Sequence, residues 1–225
     1  MAEEGKMKNE CEMISNKEFG ILGIFSSPLY VTKRGSNSDS IEEKEIEDII
    51  KEGLCKVGDL DHYTNNTYIF DTKLKNLKEF CEKHIKIYVE KILNPRQELD
   101  FYITQSWLNV VKPGGSIKLH YHANSIISGA FYVSTEEDDK IHFLNPNTQQ
   151  TKPMILIEPN EGNPFNANKW SFPVENNVLV LFPSWLEHSV EPNKKATRNR
   201  ISFSFNTFTK GTLGDNNTLK ELILK

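Results

Sequence analysis

Short apolar runs crowd the second half of the chain, and longer periodic ones occupy the first. Beyond residue 100, "FYITQSWLNVV", "SIKLHYH", "SGAFYVS", "KIHFLN", "MILIEP", "VLVLFP" and "RISFSFNTF" are β-rich runs parted by PGG, EEDD, NPN and EGNPF turns. Strands this closely spaced leave no room for intervening helices. A parallel βαβ sheet is therefore disfavoured, and the pattern predicts a mainly β fold: a double-sheet jelly roll or barrel with helices packed outside it.

The helices are expected upstream. In "IEEKEIEDIIKEG" Ile41, Ile46, Ile49 and Ile50 lie near one side, Ser40 and Glu43 form a capping box ahead of them, and Gly53 is placed to end the helix. A second helix is predicted from about Asp71, where Leu74, Leu77, Phe80, Ile85, Tyr88 and Ile92 recur until "NPR" stops it. His84 reads there as a half-buried helix residue. The earlier run "GILGIFSSPLYV", interrupted by Pro28, suits an edge strand. The expected organisation is a loose tail over residues 1–19 and one domain over 20–213. Within it, a helical part spans about 40–95 and a β core about 100–210, and a polar tail closes the chain over 214–225.

Composition narrows the setting. At 225 residues the chain can bury a sizeable core, and a net charge of -4 advertises neither nucleic acid nor anionic lipid. Cys11, Cys55 and Cys81 are odd in number and form no CxxC pair, so they read as reduced thiols. No apolar stretch reaches membrane-spanning length, and the acidic, lysine-rich N-terminus lacks a secretory core. A cytoplasmic protein with no membrane or nucleic-acid partner is expected.

Within "KLHYHANSIISGAFYV", His120 and His122 stand two apart, which on a strand places both on one face with Lys118 and, if the strand continues, Asn124. Two imidazoles can then converge on one ion without distorting the backbone, although an isolated HxH also fits two surface histidines. The companion is "VLVLFPSWLEHSVEP", where a buried strand runs into a proline turn and His188 stands beyond it. In a jelly roll distant strands lie side by side, so His188 can complete a three-histidine site with positions left open to water, oxygen or substrate.

A second constellation says what the open positions are for. "RNRISFSFN" alternates: Ile201, Phe203 and Phe205 take one face, and Arg200, Ser202, Ser204 and Asn206 the other. Such a polar face is costly to bury unless it meets a polar ligand. Arg200 offers a planar fork for a carboxylate and Ser202 a further donor, while Arg198 lies nearer the turn. Tyr132 shares a face of "SGAFYV" with Ser128 and Ala130 and is a candidate partner of the same carboxylate; core packing explains it as well. Asn109 is placed to reach the barrel mouth; satisfying a neighbouring backbone group explains it as well. Trp107 and Trp185 read as core or rim aromatics, and His142 as a non-ligand.

In the order "SWLNVVKPGGSIKLHYHANSIISGAFYV", "FPSWLEHSVEPN", "RISFSFN", the chain resembles the 2-oxoglutarate/Fe(II)-dependent oxygenases related to prolyl hydroxylases, in the subgroup common in phage and marine bacterial genomes. The resemblance covers roughly residues 20 to 210. It implies a cupin-like double-stranded β-helix that holds Fe(II), with 2-oxoglutarate as cosubstrate. Arg200-Ile201-Ser202 matches the Arg-x-Ser pattern that binds the far carboxylate, and Asn109, Tyr132 and Asn206 would join that group. Small-molecule or peptide substrates and O2 are the implied partners, with succinate and CO2 as coproducts of hydroxylation. The wider superfamily carries a His-x-carboxylate pair with a distal His, and neither histidine here is followed by an acid. Three arrangements stay open: an all-imidazole triad of His120, His122 and His188; His122 paired with Asn124; or two side chains completed by water. The first is preferred because neutral imidazole is a better ligand than an amide.

Three other functions use the same residues. A cupin is suggested by Gly114 six before His120 and Pro183 five before His188, but the cupin glutamate is missing and Trp185 stands where that motif wants glycine. A zinc hydrolase is a second, since three histidines with an open position can activate water. A degenerate barrel that only binds a partner is the third.

Overall fold

The computed structural model describes residues 14–15, 20–21, 26–35, 39–146 and 158–225. Strands run in chain order as β1 (Ile14–Ser15), β2 (Gly20–Ile21), β3 (Tyr30–Lys33), β4 (Leu54–Lys56), β5 (Asp61–Thr64), β6 (Leu99–Val111) and β7 (Ile117–His120). They continue as β8 (Ile127–Ser134), β9 (Lys140–Leu144), β10 (Lys169–Pro173), β11 (Val178–Pro183), β12 (His188–Val190), β13 (Arg200–Leu213) and β14 (Leu222–Leu224). The helices are α1 (Asp39–Lys51) and α2 (Lys75–Tyr88).

Among the described residues, two antiparallel sheets carry the fold apart from the small β1–β2 pair. The major sheet has the order β3-β11-β8-β13-β6-β5-β4 with β14 on β13, and the minor sheet the order β10-β9-β12-β7. Neighbours that are distant in sequence, β11 beside β8 and β12 beside β7, make this a jelly roll.

The apolar runs of β8 and β11 are buried on both faces, and alternation divides them between two cores. Ile127, Phe131, Leu179 and Leu181 join Phe203, Phe205 and α2 residues Leu77, Cys81 and Ile85 on the helix side. Ala130, Tyr132, Val178, Val180 and Phe182 meet Ile141, Phe143 and Leu186 between the sheets. α2 therefore braces the major sheet from outside and leaves the space between the sheets for the site. Gly129 faces the helix-side core, where an added Cβ would lie 2.2 Å from the Phe205 ring. Gly129→Ala should destabilise the protein by about 1–3 kcal/mol, read as a lowered urea midpoint; an unchanged midpoint would mean that the ring moves aside freely.

Several boundaries differ from expectation. Ser40 lies inside α1 rather than ahead of it. Gly53 ends the helix as expected, with φ +123° and its N–H on Ile50 O at 3.3 Å. α2 begins at Lys75 after a 3-10 turn at Ile69–Asp71, and beyond Tyr88 the chain widens into a π-turn that Asn94 closes. A hairpin, β4–β5, interrupts the region read as helical; its short polar strands carry no apolar alternation, and they form because they extend the sheet edge at β6. The end of the "EGNPFNANKW" loop enters β10. Most of the expected strand "MILIEP" lies outside the described residues. Only the end of the run "GILGIFSSPLYV" enters an edge strand, β3 at Tyr30–Lys33, while Gly20 and Ile21 pair with β1 instead. His84 is half-buried on α2, bonded to Tyr30 Oη at 2.7 Å.

Candidate metal and cosubstrate site

His120 ends β7 and His188 begins β12, and the two are directly opposed across the β7–β12 ladder, with a register irregularity beyond them. His122 follows β7, its N–H bonded to Ser184 O at 2.9 Å. One ring nitrogen from each histidine lies within 4.8 Å of the others, with 3.3 Å between the Nε2 atoms of His120 and His122. Among the described residues no carboxylate joins this cluster.

Each ring is aimed by its other nitrogen. His120 Nδ1 lies 2.8 Å from Lys118 O, His188 Nδ1 3.0 Å from Leu186 O, and His122 Nδ1 2.5 Å from Asn206 Oδ1. Carbonyl oxygens only accept, so these contacts place the hydrogen on Nδ1 and leave the Nε2 lone pairs facing a common point. Trp107 stacks on His122 with centroids 5.7 Å apart, and the Phe182 ring meets His188 edge-on at 4.7 Å. This wall of three neutral donors fits a divalent transition metal such as Fe(II).

Burial keeps His188 and His122 neutral. It lowers the pKa of His188 to about 3, with His120 adding to the effect, and it also lowers that of His122. The unfolded chain, with ordinary histidines near 6.5, therefore takes up protons first as the pH falls. Stability from these groups is complete above that value and is lost progressively below it, by up to about 1.4 kcal/mol per pH unit for His188. Urea midpoints of the metal-free protein should fall steadily from about pH 7 to about pH 5. A flat profile would show that the histidines are not buried.

The histidines open into a cavity of roughly 500 Å³, mouth included, also lined by Trp107, Asn109, Tyr132, Arg200, Ser202 and Ser204. Arg200 is only 6% exposed, and its Nε has no hydrogen-bond partner among the described residues. Burial lowers its pKa, while Tyr132 and Asp139 favour the charged form. Asp139 spends its carboxylate on Asn193 Nδ2 and the Glu136 N–H. A buried guanidinium left short of a partner is costly unless an anion arrives. Desolvation raises the Tyr132 phenol to about 12, so beside Arg200 it is a neutral donor. Ser202 is buried in the same wall. These groups fit a carboxylate such as that of 2-oxoglutarate.

Other expected residues stand differently. Asn124 occupies an exposed turn at φ 55° and does not line the cavity, because β7 ends at His120 and the same-face pattern does not extend to it. Asn206 lies six residues along β13 from Arg200, about 20 Å away, and bonds His122 and not the cosubstrate group. Asn109 accepts from Trp107 Nε1 at 3.1 Å and donates to Ser204 Oγ at 2.8 Å. Arg198 is exposed and bound to Glu136. His142 faces Ser171 Oγ at 2.8 Å, away from the cluster. Trp185 is exposed. The roles of Trp107 and Phe182 beside the histidines were not read from the sequence; Trp107 shares the strand parity of Asn109, a signal that could have found it.

A family model described as "Putative 2OG-Fe(II) oxygenase" matches residues 105–206, the segment that carries every residue of this site. Over that segment, a little under half of the chain, the protein is similar to the 2-oxoglutarate/Fe(II) oxygenase family. The family uses Fe(II) and 2-oxoglutarate, which agrees with the donors in the cavity. None of the curated proteins matches the chain.

Solved structures share the oxygenase fold. A Pseudomonas putida prolyl-4-hydroxylase is 14% identical with a TM-score of 0.53, covering 80% of this chain and 93% of its own. A Trichoplax adhaerens prolyl hydroxylase, in complex with a peptide fragment of hypoxia inducible factor, is 13% identical with a TM-score of 0.56, covering 80% and 83%. HygX from Streptomyces hygroscopicus, with nickel, 2-oxoglutarate and hygromycin B bound, is 11% identical with a TM-score of 0.53, covering 80% and 82%. No helix among the described residues of this chain is long and apolar enough to cross a membrane.

Proposed function

We propose that this oxygenase hydroxylates an organic substrate, a small molecule or a peptide, and converts 2-oxoglutarate and O2 to succinate and CO2. The observation that carries the reading is one cavity holding both the Nε2 donors of three histidines and a buried, under-partnered arginine. His120, His122 and His188 would hold Fe(II), which when bound supplies oxygen activation at the open coordination positions. Arg200 would grip the far carboxylate of 2-oxoglutarate, with Ser202 and Tyr132 donating beside it. Trp107, Phe182 and Phe143 pack around the histidines and exclude water from that end. With three neutral ligands the site carries one negative charge fewer than a triad containing a carboxylate, so Fe(II) should be held more weakly.

The oxygenase domain would span residues 20–213. The prolyl hydroxylase seen with a peptide and HygX seen with hygromycin B support both substrate kinds equally. The reading is tested by anaerobic titration with Fe(II) and 2-oxoglutarate, followed by succinate measurement on admitting O2. Iron-dependent succinate release is expected. Tight zinc with no 2-oxoglutarate turnover would sink the oxygenase reading in favour of a hydrolase, and absence of metal binding would favour a partner-binding barrel.

A further inference from the structure

His122 differs from the other two histidines in what aims it. The acceptors for His120 and His188 are backbone carbonyls two residues before each, so local chain geometry sets those rings. The acceptor for His122 is a side chain 84 residues away, on β13. An amide can present either end, so something must hold its oxygen toward the ring.

A run of buried hydroxyls can do this. The Thr207 N–H donates to Ser125 Oγ at 3.2 Å, Ser125 Oγ and Ser184 Oγ are 2.6 Å apart, and Ser184 Oγ and Ser128 Oγ 2.8 Å. The Ser128 hydroxyl donates to Asn206 Oδ1 at 3.0 Å. In one order each hydroxyl accepts once and donates once, from the Thr207 amide to the Asn206 oxygen. Ser128 and Ser184 are 0% exposed, so their hydroxyls depend on this chain for partners. Ser184 also ties both ligand segments together: its carbonyl accepts from the His122 N–H, and two residues later Leu186 O holds His188.

We propose that Asn206 is the positioning residue of His122, and that the Ser125–Ser184–Ser128 chain holds its amide oxygen toward Nδ1. The opposite amide orientation would offer an N–H to Nδ1, move the ring hydrogen to Nε2, and remove the lone pair that faces the other two histidines. This inference rests on the reading that the three histidines bind metal.

The test uses Co(II) as the probe with the full, metal-free chain, and reads affinity by calorimetry and geometry by the visible ligand-field bands. Wild type is titrated first; if it binds no Co(II), the metal reading fails and takes the inference with it. Where wild type binds, Asn206→Leu should bind about 10- to 100-fold more weakly, the usual effect of losing such a support, with shifted bands. Asn206→Asp keeps an acceptor and should restore both affinity and spectrum. Ser184→Ala, which breaks the chain at its midpoint, should weaken binding several-fold and carries the test if Asn206→Leu does not fold. Wild-type affinity and bands in Asn206→Leu, or an Asn206→Asp as impaired as Asn206→Leu, would overturn the proposal.

Discussion

His188→Ala should abolish iron-dependent succinate formation and weaken metal binding by more than about 100-fold, beyond what loss of an outer support causes. His188 is the donor opposed to His120 across the ladder, and it supplies the far side of the site. Without it two imidazoles remain on one segment, and water must complete the coordination. The fold should survive, because the helix-side core around Phe131, Phe203 and Phe205 does not include this ring. Calorimetry with Mn(II) and far-ultraviolet circular dichroism separate the two effects. Retained tight metal binding in a folded His188→Ala protein would show that the metal sits elsewhere.

Arg200→Met should raise the KM for 2-oxoglutarate by more than about 100-fold, since a bidentate pair to a carboxylate loses two charge-assisted bonds of about 1.5–3 kcal/mol each. Metal affinity should be nearly unchanged. The same variant should be as stable as the wild type or more so without ligand, because the native guanidinium is buried with Nε unpartnered and an apolar side chain of similar volume removes that cost. A structural arginine would behave the other way, with the unfolding midpoint falling and KM unaffected. Arg200→Lys keeps the charge without the fork and should fall between. An unchanged KM would return the protein to the cupin reading.

Much of this site was legible in the chain, because its geometry follows from strand parity. Arg200, Ser202 and Ser204 line one cavity while Phe203 and Phe205 pack on the other side, as alternation requires. His120 and His122 share a face although the strand ends between them. Parity did not place Asn206: it counted the residue with the cosubstrate group because it shares the face of Arg200, but the length of β13 carries it to the metal end. The β4–β5 hairpin and β10 were illegible for another reason. Their residues are half-exposed at sheet edges, so backbone pairing, and not an apolar pattern, makes them strands.

The sequence by itself determined the β architecture, the candidate donors and the arginine fork, since each depends on residue type and a period of two. Only the tertiary structure decided which strands became neighbours. The His188–His120 register, the hydrogen on His122 Nδ1 and the unpartnered Arg200 Nε arise from contacts between segments tens of residues apart, and no local pattern encodes them.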